Sequence, residues 1–251
     1  MGRIAGCRAL AALSAVFLAG LSPQFASASI ISSAQIREVS VDATINTESF
    51  ANQSDFDSAS DFLPFNSSVQ ATPTLLPESA SALATQASSM DTLEIHVAGQ
   101  TSASIQPVNF VIGDAQSSSS FQYVFTIDEA GIYSFDAAVF TQGEGLYSSS
   151  AGLDFVNKDT NTYLASLNVF GTSAQSVPAT LLELEPGEYA IYGYALSEIL
   201  VSGEHNPNGS SSTASFEANL VFVVPEPGAL TLLAAGLMMT SVRRNRRRNT
   251  R

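Results

Sequence analysis

The sequence is poor in charged residues, and positive charge is almost absent from its middle. Charged residues make up 13% of the 251 residues, about half of the usual share. Eight of the ten basic residues lie in the first ten or last nine positions, which leaves Arg37 and Lys158 against 23 acidic residues. The middle therefore carries two positive and 23 negative charges, a formal charge of −21. We exclude nucleic acid as a partner, because binding phosphate needs a basic face.

Residue types that commonly carry out chemistry are also scarce. Cys7 is the only cysteine, so no disulfide can form within the chain, and His96 and His205 are the only histidines. No G-x-S-x-G motif occurs, and a zinc site would need more His or Cys than the chain has. We therefore expect no enzyme. Trp is absent, which disfavours a glycosidase or lectin unless tyrosines replace it, namely Tyr147, Tyr163, Tyr192 and Tyr194.

Residues 1–28 have the order of a secretory signal peptide. Two arginines precede a nearly unbroken apolar run over 9–21, and the small-residue site Ala26-Ser27-Ala28 follows. The apolar run is too short to span about 30 Å of hydrocarbon comfortably. We therefore expect export by the Sec machinery and cleavage after Ala28.

Residues 224–251 combine a proline motif, an apolar segment and an arginine cluster. The motif V-P-E-P-G occupies 224–228, and its prolines separate any preceding strand from the apolar segment 229–242. That segment predicts a single transmembrane helix of about 21 Å, which is short for a stable span. Basic residues stay in the cytoplasm, so we expect the domain outside and the cluster 243–251 inside. The stop-transfer residues are Arg243, Arg244, Arg246, Arg247 and Arg248.

This combination resembles the PEP-CTERM family of bacterial sorting signals, over residues 224–248 or about a tenth of the chain. The resemblance implies that Pro225, Glu226 and Pro227 are recognised by an exosortase-type membrane transpeptidase. It also implies an intermediate anchored in the inner membrane, then release to the cell surface or beyond, in bacteria that make exopolysaccharide and biofilm. The same tail is also labelled the C-terminal domain of ice-binding proteins, which describes some of its carriers. An anchor that is never cleaved is the alternative.

The middle of the chain alternates apolar and polar residues, as half-buried strands do. The clearest examples are Phe121, Tyr123, Phe125 and Ile127, and the strand leading to Phe222. No stretch of ten residues over 91–223 shows a clear helical period. We therefore predict an all-β domain over 91–223, with a β-sandwich or jelly-roll-like fold.

Two segments of this domain share a pattern of strand, acidic turn, Gly-x-Tyr and strand. They are Phe125–Ala137 and Leu182–Ala195, which we interpret as two hairpin-like units. Tyr133 and Tyr189 resemble the tyrosine corner of immunoglobulin-like domains, whose hydroxyl bonds back to the turn. We expect exposed loops at the serine-rich stretches 117–120, 148–150 and 203–212.

Residues 29–90 predict a first strand followed by a partly irregular arm. Val39, Val41, Ala43 and Ile45 alternate as a strand does, whereas 46–90 is rich in Ser, Ala and Asp and is interrupted by prolines. We expect the arm to be pinned to the sandwich by burial of its phenylalanines, which are Phe50, Phe56, Phe62 and Phe65.

Calcium is the one metal that the sequence suggests. Hard oxygen ligands cluster between the predicted strands, at Asp154, Asn157, Asp159 and Asn161. Their spacing is not that of an EF-hand loop, and Asn and Asp in such loops more often cap turns. We predict no other cofactor.

The function predicted from these features is that of an exported surface or extracellular-matrix protein with a non-catalytic structural or interaction role. Exopolysaccharide is a further expected partner. A carbohydrate- or ice-binding module is the first alternative, although no regular T-x-T ladder supports ice. A secreted hydrolase with converging carboxylates is the second alternative.

Overall fold

The computed structural model of the chain describes residues 29–46, 49–75, 78–106, 112–202 and 209–223. In these ranges the chain forms thirteen strands and no helix. The strands are β1 (Ile30–Asn46), β2 (Phe50–Ala59), β3 (Phe65–Ala71), β4 (Thr74–Leu75), β5 (Glu78–Met90), β6 (Glu94–Ile105), β7 (Ile112–Ile127), β8 (Gly131–Glu144), β9 (Ser148–Asn157), β10 (Thr162–Phe170), β11 (Ser173–Leu184), β12 (Gly187–Ser202) and β13 (Ser210–Phe222).

The strands form two sheets in which all pairs are antiparallel. The first sheet has the order β10-β9-β12-β7-β1-β2. The second sheet has the order β11-β8-β13-β6-β5-β3, and β4 also pairs with β5. From β6 onward the chain changes sheet at every connection except the one between β9 and β10.

The inner faces of the two sheets share one apolar core. Its larger cluster combines Phe125 and Phe155 of the first sheet with Phe135 and Phe216 of the second. The rings of Phe135 and Phe155 meet with centroids 5.0 Å apart. Because both sheets contribute to the same buried cluster, they pack face to face, which is consistent with a β-sandwich.

A band of small polar residues also lies between the sheets. Thr101 and Ser197, from opposite sheets, share a hydrogen bond of 2.9 Å between their hydroxyls. Ser117 Oγ donates to the Ser102 carbonyl at 3.0 Å, again across the sheets. These bonds satisfy groups whose burial would otherwise be costly, so serine-rich strands can face the interior.

The all-β prediction is confirmed for the described residues. The alternating apolar positions of the predicted first strand and of the middle region lie in strands and face the core, as in β1, β7 and β13. Tyr189 also forms the predicted corner, since its hydroxyl donates to the Glu185 carbonyl at 2.8 Å. Tyr133 does not, because its buried hydroxyl has no hydrogen-bond partner.

The prediction of an irregular arm over 46–90 is wrong. The segment contains β2, β3, β4 and β5, and β5 pairs with β6 in one sheet. The inward positions of β5 are small or polar, so their alternation shows no hydrophobic period. The predicted burial of phenylalanines holds for Phe65, whereas Phe50 and Phe56 are 67% and 59% exposed.

Two further local predictions are corrected. The serines at 117–120 and 148–150 lie within β7 and β9, and not in exposed loops. The two hairpin-like units are connections between sheets, since β7 and β12 belong to the first sheet and β8 and β11 to the second. A turn signal in sequence marks a reversal of the chain, but it does not specify which sheet receives the next strand.

The predicted signal peptide, proline motif, apolar segment and arginine cluster lie outside the described residues. Among the residues that are described, no helix is long and apolar enough to cross a membrane.

Candidate ligand-binding site

The four predicted calcium ligands do not all meet in one place. Asn157, Asp159 and Asn161 lie at the turn between β9 and β10, whereas Asp154 lies on the outer face of β9. Asn157 Oδ1 accepts the Thr160 N–H at 3.0 Å. This bond is the turn-capping role that Asn commonly has.

The same turn is fastened to the beginning of β12. Asp159 Oδ2 accepts the Glu188 N–H at 2.8 Å. Lys158 Nζ lies 2.6 Å from Glu188 Oε1, and the Lys158 N–H donates to the Glu188 carbonyl at 2.8 Å. Within the described residues, no three His, Cys, Asp or Glu side chains are grouped as metal ligands. Calcium at this turn stays a hypothesis.

His96 lies on the outer face of the second sheet, opposite the buried Ile95 and Val97. Its Nδ1 donates to Asn219 Oδ1, and Asn219 Nδ2 donates to Asp136 Oδ2 at 2.8 Å. These three residues occupy directly paired positions on β6, β13 and β8. They form a hydrogen-bonded row that crosses three strands. His205 lies outside the described residues.

A shallow trough of about 420 Å³ runs beside this row, across the strands of the second sheet. Its floor is the next row of outward positions, where Ala87, Ala98, Glu217 and Ala138 pair in that order. The three alanines leave the sheet surface low, Glu217 projects between Ala98 and Ala138, and the rows on either side stand above the alanines. We call this depression, with the residues that line it, the alanine trough.

The far wall of the alanine trough is a third row of paired positions. Thr85, Gln100, Ser215 and Phe140 follow one another across β5, β6, β13 and β8. Phe140 is 40% exposed, and Asn66 closes the end near β3. The wall therefore offers hydroxyls, an amide and one open aromatic face, and the spacing between strands of about 4.8 Å sets their repeat.

The described part of the chain offers no free positive charge to this site. Its only basic residues are Arg37, which pairs with Asp61 at 3.2 Å, and Lys158, which pairs with Glu188. Glu217 is the only carboxylate among the described residues that line the trough. The arrangement suits an uncharged ligand rich in hydroxyl groups.

The four tyrosines proposed as sugar platforms lie outside the trough. The Tyr147 hydroxyl bonds Thr172 Oγ1 at 2.9 Å, and Tyr163 is 59% exposed on β10. Tyr192 and Tyr194 share the outer face of the first sheet. The four tyrosines therefore do not form one common sugar-binding surface.

Sequence reasoning missed the trough residues altogether. Gln100, Phe140, Glu217 and Asn219 belong to no motif, and each is an ordinary outward position of a strand. These residues share only their outward position on a strand. The register of β6, β13 and β8 brings them together.

Comparisons with known proteins show no family. No family model matches the chain, and no curated protein matches it. Solved structures that it resembles include infectious bursal disease virus Gx strain, at 9% identity and TM-score 0.24, over 79% of this chain and 60% of that one. The enzymatically active domain of bacteriophage CBA120 tailspike protein 4 matches at 11% identity and TM-score 0.21, over 63% of this chain and 19% of that one.

A structure of infectious bursal disease virus Gt strain matches at 10% identity and TM-score 0.19, over 77% of this chain and 63% of that one. The chain thus spans less than two thirds of the length of each of these structures. TM-scores this low imply nothing about function.

Proposed function

We propose that this chain is an exported, non-catalytic surface or matrix protein whose alanine trough binds a neutral polysaccharide chain. The observation that carries the proposal is the row of Thr85, Gln100, Ser215 and Phe140 along a low alanine floor. Hydroxyl and amide groups exchange hydrogen bonds with sugar hydroxyls, while the open Phe140 ring packs on the apolar face of a sugar. A few polar groups in a concave, mostly apolar surface are typical of ligand sites.

A neutral polymer is favoured over a charged one by the electrostatics of the surface. The described basic residues are both paired with acids. A polyanion would meet Glu217 and the surrounding negative potential without a compensating cation. A polar, uncharged chain avoids this repulsion.

Binding is favoured over hydrolysis by the trough lining. Glycoside hydrolysis requires two carboxyl groups flanking the scissile bond, and Glu217 is the single carboxylate among the described lining residues. Asp136 already accepts a hydrogen bond from Asn219 in the neighbouring row. The hydrolase alternative predicts that new reducing ends appear when the protein is incubated with polysaccharide, and we expect none.

The strand order supports a jelly-roll subclass of sandwich for β6–β13. Those eight strands give β10-β9-β12-β7 in one sheet and β11-β8-β13-β6 in the other, which is two interleaved Greek keys. Strands β1 and β2 extend one sheet, and β5 with β3 extends the other. Lectin domains use this architecture too, although fold alone does not assign a function.

The binding proposal is tested by affinity electrophoresis of the full-length protein in gels containing xyloglucan, galactomannan or dextran. We expect at least one polymer to retard it. Gln100→Ala and Phe140→Ala should each weaken retardation by about tenfold, equivalent to ~1.4 kcal/mol. The matched controls are Gln142→Ala and Ile132→Ala, at outward positions of β8 outside the trough. Equal losses in the control variants would overturn the assignment of the trough.

Export and sorting form the second part of the proposal, and the PEP-CTERM-like tail supports them. The partners are the Sec machinery, an exosortase-type transpeptidase and, through the apolar segment, the inner membrane. Replacing Pro225 and Pro227 by Ala should leave an unprocessed chain in the membrane fraction of the producing cells. Processing and location equal to those of the native chain would contradict the sorting role.

A further inference from the structure

The outer face of the first sheet carries an aromatic ring that lies along the sheet instead of projecting from it. Tyr194 on β12 pairs with Gly152 on β9, which in turn pairs with Asn168 on β10. A Cβ atom on Gly152 would lie 2.3 Å from Tyr194 Cε1, so the ring covers the glycine. The Tyr194 hydroxyl donates to Asn168 Oδ1 at 3.2 Å. The side chain therefore lies flat across β9 and is held at both ends.

One face of this ring is open. Tyr194 is 38% exposed although its other side rests on Gly152, so the exposed part is the face directed away from the sheet. Glycine at position 152 is required for the ring to lie flat, because any side chain there would push the ring away from the sheet. The ring lies over β9, which is next to the edge strand β10 in the first sheet, so it extends from β12 toward that edge.

Polar groups surround the ring on the adjoining rows. Asp154, Tyr192 and Gln122 form one row across β9, β12 and β7. Ser120 and Glu38 continue the row of Tyr194 on β7 and β1. Asp154 is the next outward position of β9 after Gly152, over which the ring lies. Burial raises the pKa of Tyr194, and the charge of Asp154 raises it further. The face thus combines a flat ring with amide, hydroxyl and carboxylate groups.

We propose that Tyr194 and its neighbours Asp154, Asn168, Tyr192 and Gln122 form a second polysaccharide-binding site on the face opposite the alanine trough, so that one molecule bridges two polymer chains. We call this site the tyrosine platform. Its ligand class rests on the proposed function, and the same charge argument selects a neutral chain. The open ring packs on the apolar face of a sugar, while Gln122 and the second carboxylate oxygen of Asp154 bond its hydroxyls, since Asp154 Oδ1 is buried.

The two sites lie back to back across a tightly packed part of the sandwich. Gly193 precedes Tyr194, and Gly99 precedes Gln100 of the trough. The Phe216 ring lies against both glycines, with a Cβ on either one falling within 2.6 Å of it. Packing of this kind leaves the two faces at a constant separation, as a cross-linker requires.

The test uses the full-length protein and a soluble neutral polymer that retards it, chosen from xyloglucan, galactomannan and dextran. Cross-linking is measured by light scattering of the mixture, and binding by affinity electrophoresis. We expect the native chain to raise scattering with polymer present and not without it. Tyr194→Ala should abolish the rise while binding stays within about threefold, because the two faces act independently.

Control variants separate the possible outcomes. Tyr163→Ala removes another exposed tyrosine of the same sheet and should cross-link normally, and Tyr194→Phe should retain most of the effect. Phe140→Ala should also abolish cross-linking, and the double variant Tyr194→Ala with Phe140→Ala should lose binding. Native-level cross-linking by the Tyr194→Ala variant overturns the platform. A dimer of the native chain that forms without polymer, and that this substitution disrupts, also overturns it. Unchanged binding and cross-linking by Phe140→Ala would instead overturn the trough.

Discussion

Individual glycines set the distance between the two sheets. Gly99 on β6 and Gly193 on β12 come from different sheets, and the Phe216 ring occupies the space that their side chains would fill. Both glycines have ordinary backbone angles, since they are not among the positive-φ residues. Their role is therefore close approach and not backbone freedom.

We predict that Gly99→Ala lowers the free energy of unfolding by roughly 1–3 kcal/mol, because its Cβ would lie 2.3 Å from Phe216 Cε1. Urea unfolding measures the change. In a Phe216→Leu background, which removes the ring, the same substitution should cost less. An equal cost in both backgrounds would show that the ring is not the cause.

Arg37 is a fully buried cation that holds the connection between β2 and β3. Its Nη1 donates to the Leu63 carbonyl at 2.6 Å and its Nη2 donates to the Asp61 carbonyl. Its guanidinium carbon lies 5.2 Å from the centre of the Phe65 ring. The Asp61 side chain is 63% exposed, so the backbone carbonyls, and not the ion pair, account for most of the stabilisation.

We predict that Arg37→Met lowers the free energy of unfolding by roughly 2–4 kcal/mol, since it removes the donors to these carbonyls. Asp61→Asn should cost less than about 1 kcal/mol, because the pair is largely solvated. Both values come from urea unfolding. Comparable losses for the two variants would assign the stabilisation to the ion pair instead.

At the scale of elements, two tyrosines follow the same Gly-x-Tyr pattern but differ in their hydrogen bonding. Tyr189, at the start of β12, donates its hydroxyl to the Glu185 carbonyl at 2.8 Å. Tyr133, at the start of β8, is equally buried but its hydroxyl has no partner. The pattern in sequence specifies the turn, while the local path of the preceding residues decides whether a carbonyl lies within reach.

We predict opposite outcomes for removing the two hydroxyls. Tyr189→Phe should lower the free energy of unfolding by about 1 kcal/mol, as loss of one hydrogen bond does. Tyr133→Phe should be neutral or stabilising, because it removes a buried polar group that makes no bond. Equilibrium unfolding of the two variants under one set of conditions checks this, and equal destabilisation would contradict it.

Tyr133 also makes the fold sensitive to alkaline pH. Burial is the main cause that raises its pKa to about 12, with smaller contributions from Asp128 and Tyr189. A tyrosine in the unfolded chain has a pKa of ~10. Between about pH 10 and 12, Tyr133 therefore keeps its proton in the folded state and loses it in the unfolded state. The contribution of Tyr133 to the free energy of unfolding is complete below about pH 10 and is lost as the pH rises toward 12.

We therefore predict that the unfolding free energy of the native chain falls between about pH 10 and 12. The fall should be shallower in Tyr133→Phe, which has no phenol to ionise at that site. Urea unfolding at a series of pH values measures both curves. Superimposable curves would mean that Tyr133 does not contribute to the alkaline loss.

At the scale of the whole molecule, the excess of acidic residues destabilises the compact state by self-repulsion. Raising NaCl from about 0.01 M to 0.15 M shortens the screening length from ~30 Å to ~8 Å. We predict a higher melting temperature at the higher salt concentration, measured by calorimetry. A melting temperature that is independent of salt would show that the acidic groups are too far apart to interact.

The same measurement addresses calcium. CaCl₂ and MgCl₂ at equal ionic strength should raise the melting temperature equally, because Asn157 and Asp159 already accept backbone N–H groups in their turns. Isothermal titration with calcium should release no binding heat. A heat or an additional stabilisation specific to calcium would establish the site suggested by Asp154, Asn157, Asp159 and Asn161.

Much of the all-β fold could be predicted from sequence, because large side chains alternate wherever a strand separates core from solvent. β1, β7 and β13 carry this signal in Val39, Phe121 and Leu220. β5 does not, since its inward residues are Ala, Gln and Ser. Small side chains there fit a narrow interior that only the opposing sheet defines.

The sequence by itself determined the strand periodicity, the acidic middle and the expectation of export and sorting, because these depend on neighbours along the chain or on simple counts. Only the tertiary structure decided which strands share a sheet, and hence that Gln100, Ser215 and Phe140 form one wall while Tyr194 lies over Gly152. Cross-strand register joins residues that are far apart in sequence and individually unremarkable. Each proposed binding surface exists only through that register.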